Sequence, residues 1–253
     1  MKGSWKIGSL AGVGIQVHFT FLLLAGLIFI TTLITGQGLA VALAGLVFLA
    51  LIFSLVVLHE LGHALTARHF GIYTRDITLL PIGGVANLVG EVRRPGHEIL
   101  IALAGPAVNL ALAVLFVLFW LVSSAAPTDG VFSASTVLGQ LVYINIALAV
   151  FNLLPAFPMD GGRVLRAVMW LRMDRLRATE IAVNIGKVVT IGMAILGVFY
   201  NPFLILIAFF IWFAGSSELN ALRLQRVSET YRYPGNLFEY PYIVRYRPTW
   251  SRW

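Results

Sequence analysis

The sequence predicts an all-α polytopic membrane protein with six transmembrane helices and a small β-sheet or hairpin. The N-terminus and the loop between spans two and three are expected to form that sheet. Of the 253 residues, 59% are hydrophobic and 11% are charged, whereas about a quarter are charged in soluble domains. The apolar residues also fall into uncharged runs, and about 20 such residues are enough to cross a bilayer.

Six predominantly apolar segments can be delimited, separated by turn-forming or charged segments. They cover residues 19–34, 39–69, 99–123, 136–154, 181–200 and 203–222. The second run is followed by Gly71, a residue type that suits a helix C-terminus. We therefore divide the chain into a six-span core, residues 1–227, and a cytosolic tail rich in aromatic residues and arginine, residues 228–253.

The distribution of charge predicts the orientation. The connections after spans one, three and five, residues 35–38, 124–135 and 201–202, contain no Lys or Arg, and all 18 basic residues lie elsewhere. The positive-inside rule then places both termini in the cytosol of a cell whose plasma or inner membrane holds the chain. The net charge of +7 is thus assigned to topology and to lipid head groups as partners, not to nucleic acid.

The second span contains, in its last third, the motif His59-Glu60-Leu61-Gly62-His63, an HExxH pattern. On a helix the two histidines lie one turn apart on the same face, so both imidazoles can bind one metal ion. Glu60 is adjacent and can accept a proton from a water molecule at that metal. The chain has no cysteine, so His and carboxylate side chains must hold the metal, and we expect one Zn²⁺ per chain.

A third ligand is expected where span four returns to the same side of the membrane. Two helix-breaking prolines, Pro155 and Pro158, precede Asp160, which is followed by two glycines and an amphipathic helix. We expect Asp160 to bind the metal. The alternative is that Asp160 is only the N-cap of the following helix.

His69 is a competing third ligand, because its spacing from His59 and His63 matches that of metzincin proteases. Those sites need a sharp break after the second histidine, whereas Thr66 and its neighbours favour a continuous helix. Such a helix would place His69 about 15 Å along the axis from His59. We therefore do not expect His69 to bind the same ion.

The loop between spans two and three contains two short β-prone runs separated by Pro81-Ile82-Gly83-Gly84. This pattern predicts a hairpin-like loop, and the alternative is an ordinary loop at the membrane interface. Residues 13–17 also alternate in the manner of a strand and are expected to pair with it.

The motif at His59, together with Asn152-x-x-Pro-x-x-Pro-x-Asp160-Gly-Gly, resembles the site-2 protease family of intramembrane zinc metalloproteases. Gly105-Pro106 and Asn109 in the intervening helix extend the resemblance, which covers roughly residues 5–225. It implies that His59, His63 and Asp160 bind zinc, that Glu60 is the catalytic base, and that Asn152 lies near the metal and steadies the oxyanion.

The resemblance also implies that the hairpin loop offers an edge strand to an unwound substrate. The candidate substrate-binding residues are Ile77, Gly83, Gly84, Val85, Ala86, Asn87 and Leu88. Many members carry a pair of CBS domains or an inserted PDZ domain. We expect neither here, because the loop around Asp129 is short and only the tail follows residue 227.

The expected function is zinc-dependent cleavage of transmembrane segments in single-span membrane proteins, as in regulated intramembrane proteolysis. The alternative is a zinc-binding, non-hydrolytic scaffold or transporter on the same fold. Glu60 favours the protease, because a scaffold has no need of a base beside its metal.

Overall fold

The structure is a computed structural model that describes residues 3–81, 83–123 and 134–230. These described residues separate into two compact units, one on each side of the boundary between Leu154 and Pro155. In the first unit the strands are β1 (Ser4–Leu10), β2 (Val13–His18), β3 (Tyr73–Leu80) and β4 (Gly83–Val89), and the helices are α1 (Phe19–Ile34), α2 (Leu39–His69), α3 (Pro95–Ser123) and α4 (Ala134–Asn152). The second unit contains α5 (Asp160–Trp170), α6 (Arg175–Phe199) and α7 (Phe203–Thr230).

The predicted helical architecture with a small sheet is confirmed, but the count of six spans is not. Within the described residues, four helices are long and apolar enough to cross a membrane: Leu39–His69, Pro95–Val122, Arg175–Phe199 and Phe203–Val227. The apolar helices Phe19–Ile34 and Thr136–Asn152 are shorter. At a rise of about 1.5 Å per residue, a 16-residue helix falls short of the roughly 30 Å hydrocarbon core.

The four strands form one sheet in the order β1-β2-β3-β4. The hairpin predicted around Pro81 is β3 and β4, which pair antiparallel. The predicted pairing of residues 13–17 is also confirmed, because β2 runs parallel to β3. Strand β1 was not predicted; it joins β2 through Ala11 and Gly12, whose φ angles of 51° and 86° suit the tight turn of a two-residue hairpin.

One face of α2 packs on the two inner strands of this sheet. The shared core contains apolar side chains that recur every three or four residues on α2, the spacing of one helical face. Its buried members are Phe53, Val57, Leu61 and Ala64 from α2, and Val13, Val17, Ile77 and Leu79 from the strands. The sheet is therefore anchored to the helix that carries the HExxH motif.

The C-terminus of α2 confirms the predicted role of Gly71. Gly71 has a φ of 77°, and its N–H donates to the carbonyl of Arg68, while the N–H of Ile72 donates to the carbonyl of Ala67. This pair of bonds satisfies carbonyls that the helix end would otherwise leave open. The helix is thus unbroken from Leu39 to His69.

In the second unit, α6 and α7 form an antiparallel pair that supports the shorter helix α5. Phe157, in the segment before α5, is buried with Ala182 and Val183 of α6 and Leu219 of α7. The predicted helix after Asp160 is confirmed as α5. Helix α7 continues to Thr230, and the tail beyond it lies outside the described residues.

Candidate metal centre and active site

The two histidines of the HExxH motif are buried and converge across one turn of α2. His59 is 5% exposed and His63 is 7% exposed. Their Nε2 atoms lie 3.1 Å apart. The side chains therefore meet through the nitrogens that a metal ion would bind.

The backbone of α3 sets the tautomer of His63. Its Nδ1 lies 2.6 Å from the carbonyl oxygen of Ile101, and a carbonyl can only accept, so Nδ1 carries the proton. The Nε2 of the neutral ring then holds a lone pair, as a metal ligand requires. The donor chemistry of His63 thus fits a metal at the point where it faces His59.

Gly105 on α3 leaves the space that this centre needs. A Cβ placed on Gly105 would lie 2.2 Å from Nε2 of His63 and 2.6 Å from Nε2 of His59. In the sequence, Gly105 contributed to the family resemblance and gave no sign of a contact with the histidines. Only a residue without a side chain can occupy this position without displacing both rings.

Gly62, between the two histidines, allows the same approach from α2. A Cβ on Gly62 would lie 2.9 Å from the carbonyl oxygen of Ala104 and 2.8 Å from a methyl group of Val108. Gly62 of α2 therefore packs against the backbone of α3, whereas Gly105 of α3 packs against the histidine side chains of α2. The sequence signal for this packing was the pair of small residues Ala104 and Gly105.

Glu60 is half-buried on the flank of α2 nearer the sheet. A Cβ on Gly84 would lie 2.7 Å from Cγ and 3.3 Å from Oε1 of Glu60. The start of β4 thus lies directly against this carboxylate. The sequence grouped Gly84 with the hairpin but gave no sign that it touches Glu60.

Asp160 is buried at the first position of α5, with 6% of its surface exposed. The N-cap is Met159, so the alternative that Asp160 serves as the cap is wrong. Arg163 Nη1 lies 3.8 Å from its Oδ1, one turn along the helix. The acidic side chain also suits the positive end of the helix dipole.

His59, His63 and Asp160 form a group that can hold one metal ion. One ligand atom from each lies within 4.8 Å of the others, and all three residues are buried. Two imidazoles and a carboxylate are a donor set that suits zinc.

The other histidines are placed away from this group. His69 is exposed at the end of the same unbroken helix, in agreement with its exclusion above. His18 is the N-cap of α1, where its Nδ1 accepts from the N–H of Thr20, and His97 stacks on Phe70. Both roles are structural.

Asn152 is the last residue of α4 and is half-buried. Its Nδ2 donates to the carbonyl of Leu148 at 2.9 Å. An amide nitrogen carries two hydrogens, so this bond uses one of its two donor positions. The oxyanion role implied by the resemblance stays a prediction.

The candidate substrate-binding residues divide between two strands. Those on β4, the outer strand next to β3, are Gly83, Gly84, Val85, Ala86, Asn87 and Leu88. Ile77 lies on β3 between β2 and β4 and is 0% exposed, so its side chain belongs to the core and we remove it from the candidate surface. Asn87 Nδ2 donates to Oδ1 of the buried Asp76, which ties the two strands together.

The model of Peptidase family M50 matches residues 47–134 and 126–196, which is more than half of the chain. This chain belongs to Peptidase family M50. The matched ranges contain all three residues of the metal group as well as Glu60 and Asn152. This family, together with the four helices long and apolar enough to cross a membrane in the part of the chain that the structure describes, makes it a multi-pass membrane protein.

Similar proteins include a zinc metalloprotease of Methanocaldococcus jannaschii, 34% identical over 228 residues that cover 90% of this chain and 64% of that protein. A Synechocystis relative is 36% identical over 197 residues, 74% of this chain and 50% of the relative. This M50 chain thus spans about half to two thirds of the length of these relatives. The solved structure of a site-2 protease from Methanocaldococcus jannaschii superposes with a TM-score of 0.62 at 34% identity, covering 85% of this chain and 95% of that one.

Replacement of Gly105 by alanine should weaken metal binding, because Gly105 contacts both histidine rings. Gly105→Ala adds a methyl group within 2.6 Å of both Nε2 atoms, so zinc affinity should fall by about tenfold or more. The measurement is a zinc titration of the purified protein against a competing chelator. Gly139→Ala on α4 is the matched control, because its new Cβ meets no atom within 4 Å. Wild-type affinity in Gly105→Ala would show that the ion is not held between these rings.

Proposed function

We propose that this M50 chain is a zinc-dependent intramembrane endopeptidase that cleaves transmembrane segments of membrane-anchored substrates. The observation that carries the proposal is the buried group of two histidines and one aspartate, whose ligand atoms lie within 4.8 Å of one another. Glu60 is adjacent to the first histidine. The similarity to a zinc metalloprotease and to a site-2 protease of M. jannaschii supports it.

In this proposal His59, His63 and Asp160 hold the zinc. Three protein ligands leave a further coordination position, as in catalytic rather than structural zinc sites. When bound, zinc supplies a Lewis acid that polarises a peptide carbonyl and acidifies water. The hydrogen bond from His63 Nδ1 to Ile101 fixes one ligand ring in the orientation that it needs.

Glu60 is proposed as the general base. It accepts the proton of the attacking water and can return it to the leaving amine. Because Glu60 packs on Gly84, a peptide lying along β4 would present its carbonyl close to this carboxylate. The remaining donor position of Asn152 is proposed to stabilise negative charge on the carbonyl oxygen.

The outer edge of β4 is proposed to bind the substrate backbone. A transmembrane helix satisfies its hydrogen bonds internally, so its backbone must be unwound before hydrolysis. An added strand would then pair the released N–H and C=O groups with the edge. The support is the outer position of β4 in the sheet and its contact with Glu60.

The full six-span topology is part of the proposal. It takes α1 and α4 as additional, shorter spans and uses the absence of Lys and Arg from residues 35–38, 124–135 and 201–202. Both termini and the active site would then face the cytosolic side. A non-hydrolytic scaffold would bind zinc equally well but would not need Glu60, so the experiments below separate the two functions.

The first test concerns the metal ligands. Asp160→Ala should weaken zinc affinity by about 10- to 100-fold or more, because it removes a direct ligand. The measurement is zinc content after dialysis against a weak chelator, with His59→Ala as the positive control for ligand loss. Full zinc occupancy in Asp160→Ala would remove this carboxylate from the ligand set.

The second test separates zinc binding from hydrolysis. Glu60→Gln keeps the shape of the side chain but removes the base, so zinc content should be unchanged while cleavage falls by about 100-fold or more. The assay is cleavage of a single-span substrate in detergent or liposomes. If Glu60→Gln retains most of the activity, another group activates the water. If the wild-type protein binds zinc but cleaves no such substrate, the scaffold function is favoured.

The third test concerns the β4 edge. Alternate residues of an edge strand direct their N–H groups inward and outward, so proline at Val85 and at Ala86 should differ in effect. The variant that loses an outward N–H should lose about tenfold in cleavage without loss of zinc. A substrate already unwound by helix-breaking residues should be less affected. Val85→Ala and Ala86→Gly keep the N–H and are the matched controls. Wild-type cleavage by both proline variants would show that the substrate is held elsewhere.

A further inference from the structure

We infer that Arg166 and Glu218 are positioning residues that hold the segment carrying Asp160 in place for zinc. The inference rests on the proposed role of Asp160 as a ligand and adds residues that do not touch the metal. Glu218 lies on α7, 52 positions from Arg166 on α5. The two residues act on Asp160 through Phe157.

Arg166 and Glu218 form a close ion pair between α5 and α7. Arg166 Nη1 donates to Oε1 of Glu218 at 2.7 Å, and the Arg166 side chain is only 6% exposed while that of Glu218 is 40% exposed. A buried guanidinium is costly without a counter-charge. The Glu218 carboxylate that α7 supplies therefore stabilises Arg166 in this buried position.

Arg166 also contacts the segment before α5, through Phe157. The guanidinium carbon lies 4.9 Å from the ring centre of Phe157, within the range of a cation–π contact. Phe157 is 4% exposed. Its ring is thus enclosed between Arg166 and the side chains of Val183 and Leu219. Phe157 lies three positions before Asp160 in the chain.

The same segment packs tightly against Gly162 of α5 and Gly186 of α6. A Cβ on Gly162 would lie 2.7 Å from the carbonyl carbon of Ala156, and a Cβ on Gly186 would lie 3.1 Å from the Cα of Ala156. The backbone at residues 156–157 thus has little room to shift. Displacement of Phe157 would therefore be transmitted to Asp160 at the start of α5.

A second ion pair of α7 provides a matched comparison. Arg223 Nη2 lies 2.8 Å from Oε1 of Glu180, with side chains 53% and 36% exposed. It has the same chemistry and nearly the same length as the Arg166–Glu218 pair, and Glu180 is about as exposed as Glu218. However, it joins α7 to α6 instead of α5.

The experiment compares Glu218→Leu with Glu180→Leu in the full-length protein in detergent. Zn²⁺ affinity is measured by competition with a chelator, and thermal unfolding is measured on the metal-free protein. Glu218→Leu should weaken zinc binding by about 10- to 100-fold, as for other residues that orient metal ligands. Glu218→Gln keeps one acceptor for Arg166 and should lie between Glu218→Leu and wild type. Glu180→Leu should bind zinc as wild type does.

A double-mutant cycle with Asp160→Asn separates positioning from general loss of structure. If Glu218 acts through Asp160, then Glu218→Leu should have little further effect on zinc affinity once Asp160 is Asn. Equal losses in both backgrounds, or wild-type affinity in Glu218→Leu, would overturn the inference. If metal-free Glu218→Leu no longer unfolds cooperatively, the test is made with Glu218→Gln. Weaker zinc binding by a Glu218→Gln protein that unfolds like wild type supports the inference. Any other result for Glu218→Gln then overturns it.

The same cycle distinguishes this inference from the proposed function. If Asp160→Asn alone binds zinc as wild type does, the ligand assignment fails and the positioning role fails with it. If Asp160→Asn weakens zinc binding and Glu218→Leu does not, only the positioning role fails.

Discussion

The contact between the backbone of α3 and the side chains of His59 and His63 is the constraint on which the active site depends. Gly105 leaves room for both rings, and Gly62 leaves room for α3 from the other side. The same proximity brings the carbonyl of Ile101 to His63 Nδ1. One helix crossing therefore creates the space for a metal and also sets the protonation of a ligand. Polar groups at membrane depth are costly unless they are satisfied, and this crossing satisfies one of them.

Helix α2 connects the parts of the first unit because its faces contact different elements, the sheet on one side and α3 on the other. Successive residues turn by about 100°, so Val57 and Leu61 face the sheet while His59 and His63 face α3. Glu60 lies between these directions, next to Gly84 of β4. The packing of the sheet on α2 therefore also fixes the distance between the proposed base and the strand edge.

In the second unit, the position of Asp160 depends on the non-helical segment that precedes α5. Asp160 comes directly after a segment that contains Pro155 and Pro158, where backbone hydrogen bonding is interrupted. Such a segment needs other contacts to fix its shape. Phe157 supplies them through its burial on α6 and α7 and through the guanidinium of Arg166. An acidic residue that needs a defined position is thus held by contacts formed far away along the chain.

The sequence by itself determined the features that depend on local order: the long apolar helices, the end of α2 at Gly71, the β3–β4 hairpin, and the chemistry of the HExxH motif. These follow from hydrophobic period, turn residues and side-chain type, which neighbouring positions encode. Strand β1 escaped prediction because it is exposed on both faces and so lacks the alternation of a half-buried strand. Tertiary structure alone decided that Gly105 contacts both histidines, that Gly84 contacts Glu60, and that Arg166 pairs with a carboxylate 52 positions away. Such contacts depend on how closely elements pack, and no local pattern in a single sequence records that distance.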